Sequence, residues 1–263
     1  MGRAMSLRFA RAGMNVVVAD LNESGMAAVV QEIEASGVSG TAVTTDVASQ
    51  VANDHLMEAA LEAYGAVNVV CLNAGVTGSV GRTWTLTEQD WDWSLGILLH
   101  GVTNGIRSFV PHLVEHGDGH VVITASIAGH VTGPYSAPYM VAKHGAVVLA
   151  EALYQELRAD GSTVGVTCLC PGFVDTDIVR AAARRAQGDT GTARDDAGSR
   201  WLEFSGRALS SAGLDPAVVG DQVHDAILAG QFWLFTDEAW DQAISRRAEE
   251  ITTRRQPTVG RPS

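Results

Sequence analysis

Six short runs of apolar, mostly β-branched residues recur along the chain, at 15–20, 41–45, 67–72, 120–125, 163–170 and 232–236. Between them the spacing of apolar positions turns helical, near 3–12, 22–36, 49–64, 87–115, 136–159 and 216–230. This alternation predicts βαβ units and a parallel sheet. The runs are continuous rather than alternating, as expected of strands covered by helices on both faces. Gly13, Gly37, Gly65 and Gly161 stand just past periodic segments as helix stops, and Pro216 stands at a helix start. No repeat or linker interrupts the pattern, which predicts one domain over residues 1–251. Within it, 176–215 breaks the rhythm. It is polar, carries Trp201, Leu202 and Phe204, and reads as a long irregular insertion serving as a substrate lid. Residues 252–263 read as a flexible tail.

Composition narrows the classes. With 263 residues, 46% hydrophobic and 18% charged, the chain is no collagen, coiled coil or disordered segment. Thirty acids against 18 bases give −12, which argues against nucleic acid or an anionic membrane as partner. No run of apolar residues is long enough to span a bilayer, and the Arg-broken start, MGRAMSLRFARAGM, does not read as a secretory leader. Cys71, Cys168 and Cys170 lie in apolar runs, which predicts buried thiols and a cytoplasmic location. Cys168 and Cys170 are expected on opposite faces of their strand, against a shared metal or disulfide. Of the 18 basic residues 17 are Arg; Lys143 is the single Lys. That exception needs a reason.

A ligand is expected where the strands end at their carboxyl edge. Asp20 closes the first run, 18 residues after Gly2, where an acid can hold an adenosine ribose or simply cap the next helix. Asp46 closes the second with the same ambiguity, and Asn73-Ala74-Gly75 closes the third as a floor for a flat ligand or a plain turn. Ser126 follows the fourth run, with Tyr139 and Lys143 beyond it. On a helix, i and i+4 share a face, so the ammonium is expected beside the phenol. Bringing a Tyr of pKa ~10 down about three units requires about 4 kcal/mol. One positive charge at about 4 Å supplies roughly that at an effective dielectric near 20. His112 and His116 are spaced for a metal but lack a third ligand, so a solvated helix face is the reading and no metal site is assigned. His130 and Tyr135 read either as part of a substrate wall or as loop filling. Trp84, Trp91 and Trp93 are expected to pack around the start of the long helix.

In this order and spacing, GRAMSLRFARAGMNVVVAD (2–20), DV (46–47), NAG (73–75), Ser126, Tyr139-Met-Val-Ala-Lys143 and PGFVDT (171–176) make the chain resemble the short-chain dehydrogenase/reductase family. The resemblance implies a Rossmann-type doubly wound sheet of seven parallel strands, order 3-2-1-4-5-6-7, and often a tetramer or dimer. It implies Tyr139 as general acid/base, Ser126 holding the same substrate oxygen, and Lys143 lowering the Tyr pKa while binding the nicotinamide ribose. For the cofactor it implies Gly2, Asp20, Leu21, Asp46, Val47, Asn73, Ala74 and Gly75, with Pro171, Gly172, Val174 and Thr176 toward the carboxamide. Asp20, with no cation at Leu21 or Asn22, implies NAD over NADP; Arg3 is the one residue near enough to meet a 2′-phosphate.

Two departures stand out. The chain begins inside the family's glycine-rich loop, so a first strand and most of that loop are expected to be missing, and Met1 reads as an internal methionine of a longer frame. On that reading residues 1–263 alone would be poorly soluble or bind NAD more weakly than ~1 mM. Counted back from Gly101, the family's catalytic Asn is Leu98, and Asn104 lands on another helix face. The expected activity is NAD-dependent interconversion of a secondary alcohol and a ketone, on a hydrophobic or alicyclic substrate. The alternatives are an impaired dinucleotide-binding scaffold and a cofactor-free oligomer.

Overall fold

The computed structural model describes residues 1–185 and 193–258. Among them six strands alternate with helices, all pairings parallel. The first half runs α1 (Gly2–Arg11), β1 (Val16–Asp20), α2 (Glu23–Glu34), β2 (Gly40–Thr44), α3 (Gln50–Tyr64) and β3 (Val69–Leu72). Next come α4 (Glu88–Leu95), α5 (Gly101–His116), β4 (His120–Thr124), α6 (Ala137–Ala159) and β5 (Gly165–Cys170). The remainder is α7 (Ile178–Arg185), α8 (Asp196–Ala212), α9 (Pro216–Leu228), β6 (Trp233–Phe235) and α10 (Asp241–Thr252).

The expected strands and helices are all present, the 87–115 segment as α4 and α5, and their ends follow local chemistry. Gly13, Gly37, Gly65 and Gly161 sit at φ of 86°, 85°, 77° and 72°, where a side chain would be strained. Asn22, Ser49 and Asp195 cap α2, α3 and α8 by accepting from backbone N–H groups, and Thr87 and Asp90 form a capping box on α4. The centre of the core is β4, whose Val121, Val122 and Ile123 are wholly buried, sandwiched between α5 and α6 on one face and α1 and α9 on the other.

Three expectations need correction. The segment 176–215 is not irregular: it holds α7 and α8, while its residues 186–192 lie outside the described residues. A further helix, α10, runs through 252, so the tail begins at its end, and 259–263 lie outside the described residues. Cys168 and Cys170 share a face, sulfur to sulfur at 3.6 Å, because the strand period of two returns residue i+2 to the same side. Both are buried free thiols, and burial together with their mutual contact pushes Cys170 far above the ordinary thiol range.

The described sheet has six strands rather than seven, in two parts: β2-β1 and β3-β4-β5-β6. Strands β1 and β3 each have a neighbour on one side only. Between them lies a slot of about 580 Å³, lined by Val16–Asp20 and Val69–Leu72 and floored by Met5, Phe9, Val29 and Phe109. Helix α1 bridges the two parts, with Phe9 in the cluster around Val122 and Leu169, and Ala10 in the cluster with Val29 and Ile33.

Candidate active site

The parallel arrangement brings the carboxyl ends of β1 to β5 to one edge, and the expected residues gather there. Asp20 is exposed at the end of β1, its Oδ1 accepting from Asn22 N–H at 2.9 Å. The helix cap is Asn22, not Asp20, which leaves the Asp20 carboxylate facing the slot. Leu21 beside it is 65% exposed. Arg3 is held by Glu32, with Nε donating to Oε1 at 2.9 Å, and so is engaged away from Asp20. Asp46 accepts from Ala48 N–H at 3.0 Å, and the Val47 carbonyl accepts from the amides of Asn53 and Asn104, both at 3.0 Å. Asn104 thus ties α5 to the Asp46–Val47 turn, a positioning role that counting from Gly101 did not suggest.

Asn73 accepts from the Thr124 hydroxyl at 3.3 Å, and a Cβ on Gly2 would stand 3.2 Å from its amide nitrogen, so the start of α1 lies beside the same floor. Ala74 is exposed, and Gly75 packs against Leu98. Leu98 is 1% exposed and sits in a π-helical turn, Gly96–His100, between α4 and α5. Such turns occur mostly as single-turn bulges at functional sites, and no sequence pattern announced this one. On the far side, the Pro171 carbonyl accepts from Ile127 N–H at 2.9 Å and Gly172 N–H donates to the Thr236 hydroxyl at 3.1 Å. Val174 is buried and bridges Leu214, and Thr176 is half-buried just before α7.

Ser126 follows β4 in an extended conformation and accepts from Ala128 N–H at 3.1 Å, which fixes its hydroxyl at the start of a short 3₁₀ turn. Ser126 is near enough to the Tyr139 phenol to pull its pKa down. Lys143 is 4% exposed and its Nζ donates to the Thr124 carbonyl at 2.7 Å, 5.8 Å from the centre of the Tyr139 ring. The three residues do meet, but the expected electrostatics differ. Burial pushes the phenol above its ordinary value, against the pull of Ser126. Burial also lowers Lys143 to about 8. Its ammonium is committed to a backbone carbonyl, not to the phenol oxygen, so the depressed Tyr pKa expected from the i,i+4 spacing is absent in this state.

The neighbours sort themselves. His130 packs edge-on to Trp233 with its Nε2 3.3 Å from the Cys170 sulfur, which anchors it between β5 and β6. Tyr135 holds φ of 73° and its carbonyl accepts from Gly81 N–H at 2.8 Å, which ties the loop after β3 to the start of α6. Trp84 is 82% exposed rather than packed. His112 and His116 stack on α5, and no cluster of three metal-ligating side chains exists among the described residues. No helix among them is long and apolar enough to cross a membrane.

Comparison with known proteins gives this arrangement a context. Residues 1–187 match the family described as short chain dehydrogenase. A 1-deoxy-11-beta-hydroxypentalenate dehydrogenase of Streptomyces exfoliatus is 38% identical over 205 residues, covering 76% of this chain and 74% of that protein. A CLA biosynthesis dehydrogenase/reductase of Lactiplantibacillus plantarum is 27% identical over 265 residues, 98% of this chain and 91% of its own. Among solved structures, a short-chain dehydrogenase/reductase from Burkholderia phymatum in complex with NAD superposes with a TM-score of 0.93. It is 34% identical, with 99% of this chain and 93% of that one covered.

Proposed function

The chain belongs to the short-chain dehydrogenase family, an oxidoreductase acting on CH–OH groups, and from that premise we propose that it interconverts a hydrophobic or alicyclic secondary alcohol and its ketone with NAD. The observation that carries the reading is the grouping just past β4: Ser126 is held by Ala128 N–H, and the buried Lys143 reaches the Thr124 carbonyl with its Nζ 5.8 Å from the Tyr139 ring. One substrate oxygen can be shared by both hydroxyls.

The residues at the strand ends suit a dinucleotide. Asp20 offers a carboxylate to a ribose diol, Asp46 and Val47 form a turn for an adenine, and Asn73, Ala74 and Gly75 give a floor against which the N-terminus of α1 aims its backbone donors. In this reading Lys143 would meet the nicotinamide ribose, with Pro171, Gly172, Val174 and Thr176 toward the carboxamide. When bound, the nicotinamide supplies or accepts the hydride; the chain's own task is to orient and to move one proton. With its phenol pushed up by burial, Tyr139 holds its proton at neutral pH and is set to donate to a carbonyl oxygen. Alcohol oxidation requires the phenolate, so its rate should climb with pH while ketone reduction declines. The alicyclic substrate rests on the 38% identical relative, whose name gives it a hydroxypentalenate.

Against a 2′-phosphate stand the Asp20 charge and the engagement of Arg3 with Glu32. NAD should be preferred at least tenfold, about 1.4 kcal/mol; equal use of NADP would end that part of the proposal. A second reading, an impaired dinucleotide-binding protein, is favoured by Leu98 and by the slot between β1 and β3. NADH formation from a panel of cyclic alcohols, at millimolar NAD, separates the two: turnover that Tyr139→Phe lowers by 10²- to 10⁴-fold supports the enzyme, and NAD binding without turnover supports the scaffold. A homo-oligomer in the cytoplasm completes the proposal. Exposed Val141 and Val148, seven apart on one face of α6, support the assembly, and light scattering of Val148→Asp tests it.

A further inference from the structure

Asp90 is an acid with no role in the reaction, yet its side chain is 1% exposed. Six donor contacts reach its two oxygens. Arg194 Nε lies at 2.8 and 2.9 Å, and Arg194 Nη2 at 2.5 Å. The Ser79 hydroxyl adds one at 2.7 Å, and Thr87 adds its N–H at 2.9 Å and its hydroxyl at 2.8 Å. Burial works to raise this carboxyl, and the donors, Arg194 foremost, overcome it and bring it to about 2. An ion pair this enclosed adds little net stability, since desolvating both charges consumes most of the attraction. It does fix one arrangement, because each partner is costly without the other.

The arrangement it fixes reaches the backbone of the helix that carries Tyr139. Arg194 N–H donates to the Val80 carbonyl at 2.9 Å, Ala193 and Val80 form a bridge, and Asp195, which caps α8, accepts from Arg82 N–H at 3.0 Å. Gly198 presses so close that an added Cβ would stand 2.4 Å from the Val80 carbonyl. The start of α8 is therefore stitched to the loop 77–82. On its other side that loop meets the helix of Tyr139: Gly78 packs between the Ser94 hydroxyl and the Tyr139 amide, and Gly81 bonds to Tyr135. Ser94 closes the circuit, donating to the Asp90 carbonyl at 2.7 Å and accepting from Ser79 N–H at 3.0 Å. From Arg194 to Tyr139 there is one continuous set of contacts.

We propose that Arg194 and Asp90 are positioning residues for the substrate: their buried ion pair latches the N-terminal end of α8 and the loop 77–82 at a fixed distance from Tyr139, and so sets the shape of the pocket that an alcohol enters. The inference rests on the dehydrogenase reading for its substrate and on the contacts alone for its latch. Neither residue touches the reacting atoms, so their loss moves KM more than kcat. The test uses the 263-residue chain with Asp90→Asn, Arg194→Met and Arg194→Lys. Asp90→Asn keeps the shape of the side chain and removes its charge; Arg194→Met keeps the bulk without the fork. Both should raise the alcohol KM about tenfold or more, about 1.4 kcal/mol, with kcat changed less than about threefold. Amide exchange across 193–200 and 77–82 should speed up in both, while protection of β4 stays. Arg194→Lys, a point charge without the bidentate fork, should recover only part.

Unchanged KM in folded variants that have lost protection at 193–200 would make the network merely structural and overturn the proposal, as would equal falls in kcat and kcat/KM. Should the unaltered chain turn over no alcohol, the dehydrogenase reading fails by itself. The latch is then decided by exchange, and unchanged protection in Asp90→Asn and Arg194→Met overturns it.

Discussion

At the scale of the residue, Lys143 does two things that oppose each other. Its place at the site is bought with stability, because burial lowers it from 10.5 to about 8 in the folded chain. The unfolded chain therefore holds the extra proton between those values, and stability rises with pH across that window. Below about pH 8 the cost is fully present, on the order of 3 kcal/mol; above the unfolded value it is gone. Lys143→Met should thus raise unfolding free energy by roughly 1–3 kcal/mol at pH 7, the lower end allowing for the lost bond to the Thr124 carbonyl. The gain should vanish near pH 10.5, and turnover should be lost at both. Urea melts at the two pH values check it, and a variant less stable at pH 7 refutes it. Leu98 carries the converse prediction. If it stands where a water-holding Asn would serve the proton path, Leu98→Asn should raise turnover by about 10- to 100-fold and lower stability by about 1–3 kcal/mol, the cost of a buried, incompletely satisfied amide. An unchanged rate in a folded variant would mean the proton leaves Tyr139 by another path. The site residues were legible in the sequence because a lone Lys in an Arg background marks itself and strand ends mark the edge. Asp90 and Arg194 were not: they are 104 positions apart, and each reads alone as a solvated charge.

At the scale of the element, the placement of Ser126 depends on a close approach. The 3₁₀ turn Ile127–Gly129 packs on α6 so tightly that a Cβ on Gly129 would lie 2.7 Å from both the Lys143 carbonyl and Val147 Cγ2. Backbone gives way less readily than a side chain, so the turn, and Ser126 with it, must shift. Gly129→Ala should cost about 1–3 kcal/mol as overpacking and lower kcat, because a misplacement of about 1 Å at the reacting groups costs on the order of 10²-fold. A folded variant with wild-type kcat would show that Ser126 tolerates the movement. Elements with a continuous apolar run or a wide apolar stripe were readable from sequence, which is why the strands at β1 to β6 and the helices facing them were found. α8 and α10 escaped for a physical reason. α8 buries only Ala197, Gly198 and Ser205, and α10 buries nothing: both are amphipathic but mostly polar, with too little apolar content to read as core helices. α8 is held instead by its Asp195 cap and by Arg194, contacts that have no period.

At the scale of the whole molecule, the slot between β1 and β3 divides what stabilises the two halves. On one side, β1 and β2 share a small cluster of Ala10, Val29 and Ile33; on the other, β3 to β6 are built into the large clusters around Ile123 and Leu169. Backbone groups on the slot edges of β1 and β3 have no strand partner among the described residues, and main-chain groups left to water give up the ladder that would make the sheet one cooperative unit. Across the slot the halves are coupled by α1, through Met5 and Phe9 on one cluster and Ala10 on the other, and past the end of β2 by the Asn104 bonds to the Asp46–Val47 turn and by α3, whose Met57 joins the large cluster. The α1 share, two or three buried side chains at ~1.5–3 kcal/mol each, is smaller than the roughly 5–15 kcal/mol of a typical domain. The half containing β1 and β2 should therefore open first. The chain carries its own test, because all six tryptophans, Trp84, Trp91, Trp93, Trp201, Trp233 and Trp240, lie beyond β3. Tryptophan emission reports one half, and far-UV ellipticity reports both. In urea the ellipticity should begin to fall before the emission changes, and amides of β1 should exchange faster than those of β4. Coincident transitions with a single midpoint would mean that these couplings bind the halves into one unit despite the slot.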